Sequence, residues 1–210
     1  MSTALPILCT TACWAPVSYF RAWAAASRGY IEAWEHYSRQ TYRNRYLILG
    51  ANSIVPLTVP VRRTAGNDAP IREVEIDYST PWQRLHFKTL VSAYRHSPFF
   101  EYYVDDLQVF YTERFQLLFD YNLKAFGCML QLLRLPADIR LSTAFGQTGS
   151  EGTADLRGAF HPHKRCTDLP PYEQVFSQKL GFQADLSILD LLFNLGPDAA
   201  DYLTEKCENF

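Results

Sequence analysis

The chain reads as an α/β protein, a mixed sheet with flanking helices in a single compact domain. Three observations carry that reading. The opening 37 residues run strand, helix, strand. Later segments keep alternating short strand-like runs with longer runs of helical period. A hydrophobic content of 48% with 15% aromatics over 210 residues is enough to bury a sizeable core.

Residues 5–13 are short, apolar and threonine-containing, as a buried first strand should be. Pro16 suits the first position of a helix, because its missing N–H would have no partner there. Tyr19 with Trp23 and Phe20 with Ala24 give that helix an apolar side, and Gly29 is expected to end it. Residues 30–37 form the second predicted strand. Alternation puts Ile31, Ala33 and Glu35 on one face and Glu32, Trp34 and His36 on the other. A second apolar run follows at 46–49.

Residues 57–61 form a further strand, limited to an edge by Pro60. The polar stretch 63–70, with Gly66-Asn67-Asp68, reads as a turn joining it to a half-buried partner at 72–78. Ser79-Thr80-Pro81 is a helix start, and the helix should run to about Arg95 with Trp82 and His86 facing inward. Ser97-Pro98 breaks it, and an aromatic cluster follows at Phe99, Phe100, Tyr102 and Tyr103. Residues 113–134 show the longest helical pattern, stopped by Pro136. Residues 142–153 are glycine, serine and threonine rich and read as a mobile loop; their glycine spacing lacks the lysine of a phosphate loop. A buried helix at 185–194, capped by Asp185, and a last helix after Gly196-Pro197 close the chain. No repeat or composition break divides 1–210, so one domain is expected.

A net charge of -2 argues against nucleic acid as a partner, since phosphate neutralisation needs a basic surplus. The five cysteines, Cys9, Cys13, Cys128, Cys166 and Cys207, are odd in number and scattered, which favours a reducing cytoplasm over a disulfide framework. The uncharged start lacks a basic n-region, and no apolar run is long enough for a membrane span.

Against this near-neutral background one stretch stands out: His36-Tyr37-Ser38-Arg39-Gln40-Thr41-Tyr42-Arg43-Asn44-Arg45. It holds three arginines, a histidine and no carboxylate. From Glu35 the next acid is Asp68, with Arg39, Arg43, Arg45, Arg62 and Arg63 between. Arginine grips carboxylate or phosphate bidentately, so the stretch reads as an anion-binding edge; the alternative is that it locks a loop onto the domain. Arg43 and Arg45 would share a face if extended, either clamping an anionic sugar or acyl donor or bridging Glu101, Asp105 or Asp106. Tyr42 and Asn44 would share the other face. His36 titrates where a general base should, and an orienting carboxylate would come from Glu101 or Asp77.

Trp82 and His86 could form an aromatic wall and a second acid/base, or simply core. Cys13, between a strand and a helix N-terminus, sits where a thiol's pKa can fall, which an acyl-thioester mechanism would use; the alternative is an inert buried cysteine. His161, His163 and Cys166 have zinc-like spacing without a fourth ligand, so neither metal nor other cofactor is expected.

The chain resembles the WbqC-like family of bacterial proteins. The resemblance is carried by residues 36–45, Ala51-Asn52, Leu57-Thr58-Val59-Pro60-Val61, Trp82 with His86, and Ala93-Tyr94 with Ser97-Pro98-Phe99-Phe100-Glu101-Tyr102-Tyr103. The late run Leu186-Ser187-Ile188-Leu189-Asp190-Leu191-Leu192-Phe193-Asn194 fits as well. It implies a place in O-antigen or other surface-polysaccharide assembly, alongside other enzymes of the pathway, and possible transfer of glycine or another acyl group onto a sugar. It supplies no established catalytic residues. The family often opens with His-Gln-Pro before Tyr-Leu-Pro, where this chain has Thr11-Ala12-Cys13-Trp14-Ala15-Pro16; Arg39 and Ser53 replace a frequent lysine and glycine.

The resulting expectation is a transferase with His36, Cys13 and His86 as catalytic candidates. Gln40, Tyr42, Arg43, Asn44, Arg45, Asn52, Trp82, Tyr94 and Glu101 are its binding candidates. A non-catalytic sugar-nucleotide-binding or scaffold protein of the same pathway is the alternative.

Overall fold

The computed structural model describes residues 4–62, 69–148 and 151–205. The expected turn at Gly66-Asn67-Asp68, and the positions of Arg63 and Cys207, lie outside them. The opening unit is β1 (Pro6–Thr10), α1 (Val17–Ala25) and β2 (Arg28–Glu32), with β1 and β2 parallel and in register from Pro6 opposite Arg28 to Thr10 opposite Glu32. The expected βαβ start is therefore present, with shifted bounds. Pro16 precedes α1 rather than lying inside it. Gly29 lies within β2 instead of ending α1, because the Trp23 indole packs flat against it. A Cβ there would meet the indole at 2.3 Å.

β2 stops at Glu32, short of the expected 37, because the Glu32 carboxylate folds back to accept the Trp34 N–H at 2.8 Å. The chain then crosses an irregular segment to β3 (Arg45–Leu49), which pairs antiparallel with β4 (Ile54–Thr58) across a turn closed by Gly50 N–H donating to Ser53 O. That corrects the expected hairpin of 57–61 with 72–78. Between those segments Val61 and Ile76 form a single bridge, flanked by the Arg62–Glu75 and Asp77–Pro60 backbone bonds. The shorter turn wins because it closes a two-stranded ladder at little loop entropy.

A 3-10 turn (Ile71–Glu73) leads to α2 (Trp82–Tyr94), α3 (Phe100–Thr112) and α4 (Leu118–Leu132). The aromatic cluster at 99–103 opens α3, and α4 begins five residues later than the 113 expected, after the separate α3 ends. Tyr46 of β3, Trp82 of α2, Phe110 and Tyr111 of α3 and Tyr121 of α4 meet in one aromatic core with Trp14, whose Nε1–H donates to Tyr121 Oη at 2.9 Å.

Two short strands, β5 (Ile139–Leu141) and β6 (Ala154–Asp155), flank the segment expected to be loop. β5 joins β2 and β6 joins β1, all parallel, giving the order β5-β2-β1-β6. The chain ends through α5 (Ser177–Leu180), α6 (Ile188–Leu195), a 3-10 turn (Gly196–Asp198) and α7 (Ala199–Thr204). The cap of α6 is Ser187, whose Oγ accepts Leu189 N–H, and not Asp185. In this α/β architecture β2 and β5 lie on one side of β1 and β6 on the other. The strand order therefore reverses at β1/β6, where open sheets place ligands beyond the strands' carboxyl ends.

Candidate functional site

The segment joining β2 to β3 carries the one-signed stretch, and the fold splits it into inward and outward residues. Glu35 is buried, and Arg43 turns in to meet it: Nε donates to Oε1 at 2.9 Å, Nη2 donates to Oε2, and Nη1 donates to Thr41 Oγ1 at 3.2 Å. All three sides of the guanidinium are thus engaged, so Arg43 is a fixed strut and not an open clamp. Its partner is Glu35, eight residues back, and none of Glu101, Asp105 or Asp106. Burial pushes the Glu35 carboxyl upward, and Arg43 opposes that rise. Asn44 is buried too, exchanging bonds with Val59: its Nδ2 donates to Val59 O and its O accepts Val59 N–H.

His36, Arg39 and Gln40 face solvent, with Gln40 at φ 57 in the turn. His36 is held only through its backbone opposite Pro70. Arg45 is half-buried and spends Nε on Thr58 Oγ1 at 3.2 Å. Tyr37 lies close enough to feel Arg39, Arg43 and Arg45, though burial dominates and raises its phenol. The stretch therefore contributes one structural pair and a small exposed cationic patch.

The remaining sequence candidates do not join it. Cys13 is fully buried, and that burial drives its thiol well above the usual range, reversing the fall expected beside Pro16. His86 is buried against Tyr46 Oη at 3.2 Å, with Trp82 at its edge, and burial lowers its pKa to about 4. Both are buried in the core. Tyr94 is buried and donates to Asp190 Oδ2 at 2.8 Å. Asn52 is in the β3–β4 turn, accepting from Lys179 Nζ, at the far end of the hairpin from Arg45. Glu101 is exposed in the first turn of α3. His36, Arg43, Arg45, Trp82, His86 and Tyr94 do not share one cleft, because Trp82, His86 and Tyr94 are buried in the core.

At the carboxyl ends of the parallel strands the organising group is Glu32, which is wholly buried. Its Oε1 accepts from Trp34 N–H and Ser142 Oγ, and its Oε2 from Gly146 N–H at 2.7 Å and Arg157 Nη1 at 3.1 Å. One carboxylate thereby ties the segments following β2, β5 and β6 together. Elsewhere among the described residues, Thr11 Oγ1 and Tyr42 Oη are buried without a hydrogen-bond partner.

Alongside α1, on its β6 side, runs a cleft of about 740 Å³. That is within the usual range for small-molecule sites. Ala22, Ala25, Leu156 and Ala159 give it a small apolar wall, and the charged residues Arg21, Lys164, Arg165 and Glu205 line it as well. Arg21 donates to the Tyr202 and Glu205 carbonyls, fastening the C-terminal helix. Arg165 donates to Ala184 O, while the exposed Lys164 forms no ion pair among the described residues.

Asp185 lines the cleft's upper end at φ 57, a left-handed conformation that aspartate tolerates better than most residues. Its Oδ1 accepts Ser18 N–H and its Oδ2 accepts Cys166 N–H, both at 2.9 Å, so it caps α1 across the fold. Burial nevertheless pushes its carboxyl up, and Tyr42 and Arg165 lie within its field. The N-terminus of α1, where such folds often receive a phosphate, is occupied by this carboxylate. Sequence reasoning missed Asp185 as a cleft residue because its partner Ser18 is 167 residues away. Its only local signal was an acid before an apolar run. The His161 and His163 rings lie 5.4 Å apart, tilted at 36°, with Cys166 nearby in sequence; among the described residues no group of three or more metal-ligating side chains converges.

Residues 14–161 match the WbqC-like protein family, well over half of the chain. The uncharacterized protein Rv1507c of Mycobacterium tuberculosis is 27% identical over 194 residues, covering 80% of this chain and 83% of that protein. No solved structure matches.

Proposed function

The chain belongs to the WbqC-like protein family, and from that premise we propose that it is an acyl or aminoacyl transferase of surface-polysaccharide assembly, holding its anionic acyl donor in the cleft along α1. The observation that carries this is the cleft's build: a small-residue apolar wall of nucleotide-sized volume, lined by Arg21, Lys164 and Arg165 against Asp185 and Glu205, with Lys164 in no ion pair among the described residues. An activated acyl group with a phosphate-bearing carrier has that same polarity, apolar at one end and anionic at the other. In the transfer the carrier–acyl bond breaks, the acyl carbon bonds the acceptor's amine or hydroxyl, and the acceptor's proton goes to Asp185. A buried carboxyl with a raised pKa suits that role.

A second reading, a binding protein without turnover, is favoured by one fact. Both Asp185 oxygens already accept backbone N–H groups. The two readings separate by calorimetric titration with acetyl-coenzyme A and acetyl phosphate, followed by transfer assays on amino-sugar acceptors. Lys164→Glu should leave the melting temperature unchanged and weaken donor binding by about tenfold or more, as loss of a charge-assisted contact does. Asp185→Asn sets its amide NH2 against one of those backbone N–H groups, so its melting temperature should fall, while the folded protein should retain donor binding and lose turnover by roughly a hundredfold. Donor binding indifferent to Lys164→Glu removes the cleft from the proposal, and binding without transfer selects the second reading.

A further inference from the structure

In the segments that follow β2 and β5, two large aromatic side chains are left in solvent: Trp34 at 49% exposure and Phe145 at 62%. Isolated exposed aromatics are ordinary, but these two flank one buried carboxylate and the Trp34 ring is not free to move. Both hang from the Glu32 carboxylate, whose two oxygens accept the Trp34 N–H and the Gly146 N–H. The Trp34 indole is pinned further by Nε1–H donating to Ser142 O at 2.9 Å. Each ring also has a guanidinium over one face, Arg72 at 5.3 Å from the Trp34 centroid and Arg157 at 4.5 Å from that of Phe145. Arg157 is neutralised by Glu32 and Asp155, whereas Arg72 makes no ion pair among the described residues.

We infer that Trp34, Phe145 and Arg72 form a second binding site, for a ring with a stackable face that carries a phosphate: a sugar phosphate or a nucleotide. A ring stacked on the open face of a fixed indole costs little side-chain entropy to bind. The Arg72 guanidinium, over the other face and also 5.6 Å from the Phe119 centroid, makes no ion pair among the described residues and can reach past the indole edge to meet the phosphate. The site shares no residue with the cleft along α1, and the inference concerns binding alone, so it does not depend on the donor assignment.

The test uses the chain's own reporter. Of its four tryptophans Trp34 alone is exposed, since Trp14, Trp23 and Trp82 are 2%, 6% and 3% exposed. Acrylamide quenching therefore reads Trp34 directly. Glucose 1-phosphate, uridine monophosphate and glucose serve as probes, with calorimetry in parallel. Saturable protection by either phosphate compound is expected; protection by the nucleotide alone identifies the ring as a base, and by the sugar phosphate alone as a sugar. Trp34→Ala should weaken calorimetric affinity about fivefold or more, the lower end of what base–aromatic stacking supplies. Arg72→Gln, an exposed change that keeps the fold if Trp34→Ala does not, should weaken the phosphate compounds alone. Lys164→Glu should change nothing at this site. No protection by any probe up to roughly 10 mM, where even weak specific sites fill, overturns the inference. So does protection by glucose equal to that by its phosphate, or affinity unchanged in both variants.

Discussion

Removing Arg43 should destabilise the protein far more than removing any other arginine of its stretch. The Arg43 and Glu35 side chains are only 12% and 7% exposed, and the guanidinium satisfies both carboxylate oxygens. Arg43→Ala leaves Glu35 charged, buried and unpaired, a change that typically costs about 3–5 kcal/mol. For a chain of this length each kcal/mol moves Tm by roughly 2–4 °C, so a fall of roughly 6–20 °C is expected. The loss should depend on pH in one direction. Burial raises the Glu35 carboxyl while Arg43 opposes that rise, so without Arg43 the rise stands alone. A carboxyl whose folded pKa exceeds its unfolded value stabilises the fold below the unfolded value, and that benefit is lost as pH rises through the folded one. The deficit of Arg43→Ala should therefore be small near about pH 4.5 and larger at about pH 7. Adding Glu35→Gln should recover most of it. Arg45→Ala, which gives up one bond to Thr58, should stay within about 1 kcal/mol of the parent. Urea unfolding followed by circular dichroism at both pH values measures all four chains. A loss below about 1 kcal/mol, or one independent of pH, would show that Glu35 is solvated by water and that Arg43 is free for a ligand after all.

Other outcomes follow from single environments. His86, lowered by burial to about 4, binds its proton more tightly unfolded. Its contribution is present above about pH 6.5 and lost as pH falls toward 4, amounting to about 3 kcal/mol; His86→Gln should flatten that acid limb in a pH-resolved melt. Cys13, with its thiol driven well up, and Cys9, pushed up to about 12, should resist alkylation in the native protein at about pH 8. Mass spectrometry should find label on them only after unfolding. Gly29→Ala should cost about 1–3 kcal/mol by urea unfolding, because its Cβ would strike the Trp23 ring.

Much of the fold was legible because local periodicity is a local property. The strand–helix–strand opening, the helix after Pro81, and the late helix around 188–194 all announce themselves through apolar spacing and caps. Strands β5 and β6 did not, since three and two residues cannot display an alternation. They are strands only because β2 and β1 are there to pair with. The choice of hairpin partner for β4 was likewise decided by a short turn beating a longer one, which neither strand's composition records.

For the site, the sequence marked the unusual stretch 36–45 and the absence of acids within it. It could not say which arginine was already taken. Arg43 is paired because the β2–β3 segment folds back on Glu35, and Cys13 and His86 are inert because helices α2 to α4 bury them. Desolvation and pairing are properties of what surrounds a group, and those surroundings come from residues far along the chain. Asp185 reaching Ser18 across 167 residues is the extreme case, and it turns an apparent local helix cap into part of the cleft.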